Sequence, residues 1–300
     1  MKIIEGNDIS KTYGRKTVLD GLSFSIEENT ITGLIGKNGA GKTTLLKTIA
    51  GFIKQTSGVI NVFSEKPFNS LTVSNNSIFV DDEMSFPPAL QLGELLDVAE
   101  SFYPNWDKQF AKKLFDYFSF DPTSYHNRLS KGKRSTFNSI IGLAARCPLT
   151  LFDEPTTGMD EGVRKDFYRA LLKDYMAHPR TIIISSHHID EIEDLLENVL
   201  LLKNGNVYFH LPMTELKEWA IGIEGEIGII ESLIENGEVL FQKRIGSHSL
   251  YAVIKNDWSL QEQQDAYLSG VELSPIRSSD LFVYLTNEKK GGIDDVFAND

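Results

Sequence analysis

Apolar and polar residues alternate along the chain in two rhythms, and their order predicts a mixed α/β architecture. Lys2–Ile9 and Thr17–Ile26 read as strands. In the second, Leu22, Phe24 and Ile26 alternate with serines, the pattern of a half-buried antiparallel strand. The turn Glu27-Glu28-Asn29 leads into a continuous apolar run, Thr30–Ile35, which reads as a buried strand. Lys42–Ala50 follows as a helix, with Gly51 placed to cap its end. Val59–Phe63 and Ile78–Val80 are short strands, the latter running into Asp81-Asp82-Glu83. Helical periodicity then takes over at Gln91–Phe102 and Asp107–Phe118, with Phe110, Leu114, Phe115 and Phe118 on one face. Pro87-Pro88 and Pro104 punctuate the helix starts. Phe86, Tyr103 and Trp106, in proline-rich turns, are expected to be exposed. From Ser130 the α/β rhythm returns: helix Lys133–Arg146, strand Leu149–Phe152, helix Asp160–Met176, the β-branched strand Thr181–Ser185, helix Asp190–Leu196 and strand Val199–Leu202. Asn204-Gly205 then makes a hairpin turn into Val207–Phe209. Such alternation predicts a largely parallel sheet covered on both faces.

Near Leu211 the character shifts. Residues 215–300 hold 16 acidic and 7 basic side chains, so 7 − 16 = −9 of the net −12 falls there. Strands near Val239–Arg244 and Leu250–Ile254 and a helix at Leu260–Leu268 are expected. A second helix should start with Ser278 or Ser279 as N-cap and turn Leu281, Phe282 and Leu285 inward. The tail Gly291–Asp300 is expected to fray. The chain thus divides into 1–210 and a small α+β appendage, 211–300. A 41% apolar and 24% charged composition is that of a globular protein with ample core. The single cysteine, Cys147, sits in an apolar run and fits a reducing compartment, as core rather than as a reactive thiol. The start is not that of a signal peptide. No run is long and apolar enough to span a bilayer, so any span must come from another chain. The acidic balance argues against nucleic acid as a partner.

Candidate chemistry begins at Gly36-Lys37-Asn38-Gly39-Ala40-Gly41-Lys42-Thr43, which fits G-x-x-x-x-G-K-[ST] between a strand and a helix. Its glycines let the backbone turn N–H groups inward on an anion, and the following helix adds its positive end. Lys42 would reach the β- and γ-phosphates of a nucleoside triphosphate, and the Thr43 hydroxyl would hold Mg²⁺. Thr150–Pro155 is an apolar strand ending in Asp153 and Glu154. Placed parallel and next to the phosphate-loop strand, it would bring Asp153 beside the Mg²⁺ site, with Glu154 as general base.

These residues resemble the nucleotide-binding subunits of ATP-binding-cassette (ABC) transporters over roughly residues 1–210, with the motifs in the family's order. The resemblance implies that Tyr13, in Lys11-Thr12-Tyr13-Gly14, stacks on adenine. It makes Gly36–Thr44 the Walker A loop, with Gly36, Asn38, Gly39, Gly41, Lys42, Thr43 and Thr44 on the nucleotide. Leu149–Glu154 becomes Walker B, Thr157–Asp160 the D-loop, and Ser185-Ser186-His187 the switch loop whose His187 contacts the γ-phosphate. His188 has no motif role and is expected at the surface. Leu129-Ser130-Lys131-Gly132-Lys133 is similar to the signature, whose Ser130 and Gly132 would touch a nucleotide held by the opposite subunit. Residues 84–140 would form the helical subdomain.

Two positions depart from the family pattern. Lysines stand at the third and fifth signature positions, adding positive charge in the manner of bacterial drug- and peptide-exporting ATPases. Asp82 stands where a glutamine is expected, and either ligates Mg²⁺ or is a solvated turn residue. The fold implied is a P-loop NTPase core with a mixed sheet, an inserted helical subdomain and the appendage. The activity implied is ATP hydrolysis, coupled through a second ATPase subunit to a separate permease, at the inner face of the cell membrane. Phe86, Tyr103 and Trp106 are candidates for the permease contact. Export is favoured, of peptides, antimicrobials or drugs as in the phenol-soluble modulin exporters. The alternative is a non-transport ABC ATPase acting as an ATP-gated assembly scaffold. The appendage is either a dimerisation or regulatory module or a packing element.

Overall fold

The structure, a computed structural model, describes residues 1–235 and 237–286; the expected fraying of Gly291–Asp300 lies outside them. The chain divides into two units, Met1–Leu211 and one that begins at Pro212.

The first unit opens with two long strands, β1 (Lys2–Tyr13) and β2 (Lys16–Glu27). Together with β4 (Ser57–Val62) they form a three-stranded antiparallel sheet in the order β2-β1-β4. Leu22, Phe24 and Ile26 are buried, as their alternation requires. The second sheet holds six strands in the order β5-β6-β7-β3-β8-β9: β3 (Ile31–Ile35), β5 (Ser77–Val80), β6 (Leu149–Asp153), β7 (Thr181–Ser186), β8 (Asn198–Lys203) and β9 (Asn206–Pro212). From β5 to β8 every pairing is parallel. β3, β6 and β7 are buried from end to end, which is why they read as continuous apolar or β-branched runs. At the Asn204-Gly205 turn both residues have positive φ, 51° and 79°, as a type I′ hairpin needs.

Helix α1 (Lys42–Ile49) follows β3 through the phosphate loop, and Gly51, at φ 76°, ends it as expected. A short α2 (Leu71–Asn76) precedes β5. Between β5 and β6 the chain runs through α3 (Leu92–Phe102), α4 (Lys108–Tyr117), a 3₁₀ turn (His126–Arg128) and α5 (Lys131–Ala144). Leu114, Phe115 and Phe118 are buried there, and Phe110 is half-buried. α6 (Glu161–Ala177) starts on Asp160, whose carboxylate accepts the Val163 N–H at 2.9 Å. A buried ion network fastens α6 to its surroundings: Asp174 pairs with Arg146 and Arg180, and Arg146 pairs also with Asp107, the N-cap of α4.

Three sequence expectations are corrected here. Asp190–Leu196 is not one helix but two 3₁₀ turns, Ile189–Glu191 and Glu193–Leu195. Four acids crowd those seven residues, and neither turn has a side-chain cap. Helix α5 begins two residues before the expected Lys133, with Ser130 as its N-cap. Phe86, Tyr103 and Trp106 are half-buried, not exposed. Phe86 packs edge-on against His126 (4.8 Å) and Phe137 (5.8 Å), Tyr103 stacks on Trp106, and burial pushes the Tyr103 hydroxyl up to about 12.

The second unit starts with α7 (Met213–Glu218). It then runs β10 (Ala220–Glu226), α8 (Ile227–Ile234), β11 (Val239–Ile245), β12 (Ser249–Lys255), α9 (Leu260–Leu268), β13 (Glu272–Pro275) and α10 (Ser278–Thr286). Its sheet has the order β11-β12-β10-β13 with every neighbour antiparallel. From β10 to β13 this is the split β-α-β-β-α-β arrangement of ferredoxin-like folds. Its core, including Ile223, Ile230, Leu250, Ala252 and Val271, is its own cluster. Leu281, Phe282 and Leu285 are buried as expected, but Ser278 and Ser279 both lie inside α10, so neither is its cap.

Candidate nucleotide site

The site lies at the carboxyl ends of β3, β6 and β7. Gly36 and Gly41 are required by close approach: a Cβ on Gly36 would come within 2.6 Å of the Leu202 carbonyl, and one on Gly41, at φ 107°, within 2.6 Å of Leu19. Gly39, at φ 84°, faces open space. The loop therefore packs tightly on its inner side and presents bare backbone on its outer side, where an anion can approach. Asn38 is exposed beside it, and Thr44 is half-buried in the first turn of α1. Lys42 is only 6% exposed. Its ammonium donates to the Gly36 carbonyl at 2.7 Å and lies 3.3 Å from Glu154 Oε1.

Thr43 and Asp153 meet, but not by the expected route. Strand β6 is not next to β3, because β7 stands between them. Contact is made above the end of β7, where the Thr43 hydroxyl donates to Asp153 Oδ2 at 2.6 Å. Glu154 is in the left-handed region at φ 48°. Its Oε2 lies 2.8 Å from His187 Nδ1, so Lys42, Glu154 and His187 form one line of polar contacts. His188 is exposed and its ring lies 4.0 Å from that of His187. Tyr13 is half exposed, with the Lys11 ammonium 5.0 Å over its ring.

Asp82, expected either as a metal ligand or as a solvated turn residue, does not join Thr43 and Asp153 and takes the turn position. Its carboxylate pairs with Lys131 at 3.2 Å, on an exposed turn. Of the acidic triplet it is Asp81 that lies near the site: it pairs with Lys47, and burial raises its carboxyl, helped by the nearby charges of Glu83 and Asp153 and opposed by Lys47. The signature lysines are also engaged within the chain. Lys131 is held by Asp82, and Lys133 donates to the Phe118 carbonyl at 2.6 Å under the Phe120 ring. The Lys131 charge is offset by Asp82, whereas Lys133, bound only to a neutral carbonyl, keeps the positive charge expected of it. Ser130 caps α5 by accepting from the Lys133 N–H. Gly132 has a reason of its own: a Cβ there would stand 2.1 Å from the Gly158 carbonyl, so α5 and the turn after β6 pack backbone on backbone. Ser185, not singled out from sequence, connects Asp153 and Glu154. The signal available was a serine pair closing a β-branched strand.

Residues 19–157 match the family model described as ABC transporter. The ABC transporter ATP-binding protein YtrB of Bacillus subtilis is 30% identical over 222 residues, covering 74% of this chain and 76% of that one. The chain belongs to the ABC transporter ATP-binding proteins. It is an ATPase cassette of that family. The bacitracin transport ATP-binding protein BcrA of Bacillus licheniformis is 28% identical over 219 residues, 72% of either chain. Against the mouse glucosylceramide transporter ABCA12, at 30% identity over 207 residues, the cassette spans only 8% of the longer protein. The fold is that of solved cassettes: a dimeric post-hydrolysis cassette, MJ0796 bound to ADP and Pi, gives a TM-score of 0.62 at 20% identity. That match covers 70% of this chain and 98% of the other.

Proposed function

We propose that this cassette hydrolyses ATP to drive export of peptides, antimicrobials or drugs through a separate permease, paired with a second ATPase subunit at the inner face of the cell membrane. The contact line Lys42–Glu154–His187, with Thr43 held to Asp153, carries the hydrolytic part. In this reading Tyr13 stacks on adenine. The backbone at Gly36, Asn38, Gly39 and Gly41, with Lys42, Thr43 and Thr44, holds the phosphates. Glu154 takes a proton from the attacking water, and His187 orients both Glu154 and the γ-phosphate. A hydroxyl and a carboxylate oxygen form a donor pair suited to Mg²⁺. Among the described residues no cluster of three His, Cys, Asp or Glu could hold a metal, so phosphate and water oxygens would complete its shell. When bound, Mg²⁺ offsets charge on the β- and γ-phosphates.

In this reading Ser130, Gly132 and the start of α5 face a nucleotide on the second subunit, where a serine hydroxyl, a glycine amide and a helix N-terminus can hold an anion. Residues 1–210 form the ATPase domain, 84–140 its helical subdomain and 211–300 an accessory domain. Among the described residues no helix is long and apolar enough to cross a membrane; in this reading the permease supplies the span. A cavity of about 670 Å³ between β5 and α3, lined by Phe52, Phe79, Phe86, Val98, Phe102 and Tyr103, is the seat for a permease helix. Phe102 and Phe52 are 73% and 63% exposed at that groove. Trp106, whose indole nitrogen is buried, is not among its lining residues. Export rests on the bacitracin relative and on the L-S-K-G signature.

Glu154→Gln tests the reading. Turnover should fall about a hundredfold or more, the usual contribution of a positioned base. ATP-dependent dimers should accumulate and be visible by size-exclusion chromatography. Wild-type protein that dimerises with ATP but turns none over would instead mark an assembly scaffold.

A further inference from the structure

The strand order leaves a mechanical problem at the site. Asp153 ends β6 and Thr43 follows β3, yet β7 separates the two strands. The end of β7 must therefore do something for the groups that meet above it. Ser185 stands there, in register with Asp153 on one side and with Leu34 on the other. It is 0% exposed. Its Oγ accepts the Glu154 N–H at 2.9 Å and donates its own proton to Asp153 Oδ1 at 2.6 Å.

We infer that Ser185 is a positioning residue for hydrolysis: one hydroxyl sets the face of Asp153 and the backbone of Glu154 together. With Oδ1 engaged by Ser185, Asp153 offers Oδ2 to Thr43. With its N–H held, Glu154 keeps a left-handed φ of 48° that non-glycine residues seldom adopt. From that backbone its carboxylate reaches Lys42 and His187. The role needs a group that donates and accepts at one atom, which a hydroxyl does and an aliphatic side chain cannot. It also accounts for composition: Thr181-Ile182-Ile183-Ile184 suits a buried strand, and a serine next breaks that preference. Without the hydroxyl, Asp153 Oδ1 and the Glu154 N–H lose their partner in a buried place.

This inference rests on the ATPase reading above, and the test separates the two. In the full chain, Ser185 is replaced by Thr, which keeps the hydroxyl, by Val, which keeps the shape of that threonine without its hydroxyl, and by Ala. Two quantities are read: ATP turnover, split into kcat and KM, and the amide exchange of Glu154 in nucleotide-free protein. Ser185→Thr should hold both near wild type. Ser185→Val and Ser185→Ala should lower kcat about tenfold to a hundredfold, the worth of a hydrogen bond to a charged group, with KM within about twofold and with Glu154 exchange accelerated. Val matching Thr in kcat and in exchange would overturn the inference while Glu154→Gln still abolished turnover. Loss of kcat in Val with Glu154 exchange unchanged would also overturn it. If Glu154→Gln left turnover intact, the role of Glu154 as base would be what failed; wild-type protein that turned over no ATP would instead sink the ATPase reading.

Discussion

His126 shows how much one buried side chain can tie together. It is 8% exposed, lies against Phe86 and Phe137, and shares a 2.8 Å hydrogen bond with Asn138 Oδ1. Asn138 donates from Nδ2 to the Asp81 carbonyl, so the turn before the signature is wired to the loop after β5. Burial depresses the His126 pKa below its ordinary 6.5; the Asn138 bond opposes this and the Arg134 charge adds to it. The sign follows. The folded protein holds the neutral ring more firmly than the unfolded chain does, so this stability is full above pH 6.5 and is lost as pH falls below that value. Denaturant midpoints should therefore drop between about pH 7.5 and about pH 5.5, and His126→Gln should flatten that slope. An unchanged slope would remove His126 as its source. His210, depressed by burial in the same direction, would keep part of the slope in the variant. Cys147 makes a simpler case. Burial pushes its thiol up to about 12, so a maleimide reagent should leave it unlabelled in the folded protein and label it in denaturant.

At the scale of elements, the contact between α5 and the turn after β6 is the tightest near the site. Gly132→Ala would put a methyl 2.1 Å from the Gly158 carbonyl, and neither partner is a flexible side chain. Overpacking of that kind costs about 1–3 kcal/mol. Urea unfolding should show a loss of that size, with turnover reduced because Ser130 moves with the helix start. A change below about 0.5 kcal/mol would mean that the two backbones separate without cost. The phosphate loop and its flanking strand and helix were legible because their determinants are local: an apolar run, three glycines at fixed spacing, a lysine and a threonine. Strand order was not, because which strand sits beside β3 depends on pairings far apart in sequence. That is why Asp153 was expected on a neighbouring strand and Ser185 was read only as part of the switch-loop motif, with no role of its own. The Asp82–Lys131 pair was invisible for the same reason, although each residue was noticed separately as a departure from the family pattern. β10 and α8 escaped because Glu226 passes from strand to helix with no proline, serine or asparagine to mark the change.

For the whole molecule, the consequence is a division of labour that calorimetry can read. Every candidate nucleotide residue, from Tyr13 to His187, lies in the unit Met1–Leu211. The unit from Pro212 onward has its own sheet and its own apolar cluster, so it can unfold as a separate cooperative transition. A ligand stabilises only the fold that binds it, by about 2.7 kcal/mol when present at a hundred times its dissociation constant. For a unit of some two hundred residues, each kcal/mol raises Tm by about 2–4 °C. Mg²⁺ with ATP, added to the Glu154→Gln variant so that nucleotide is not consumed, should raise one transition by several degrees and leave the other in place. Chelating Mg²⁺ should remove most of that rise. If both transitions moved together, the two units would share one folding equilibrium and residues 211–300 would be part of the cassette's core. If only the first moved, its partner would be free to serve a role that nucleotide does not directly control.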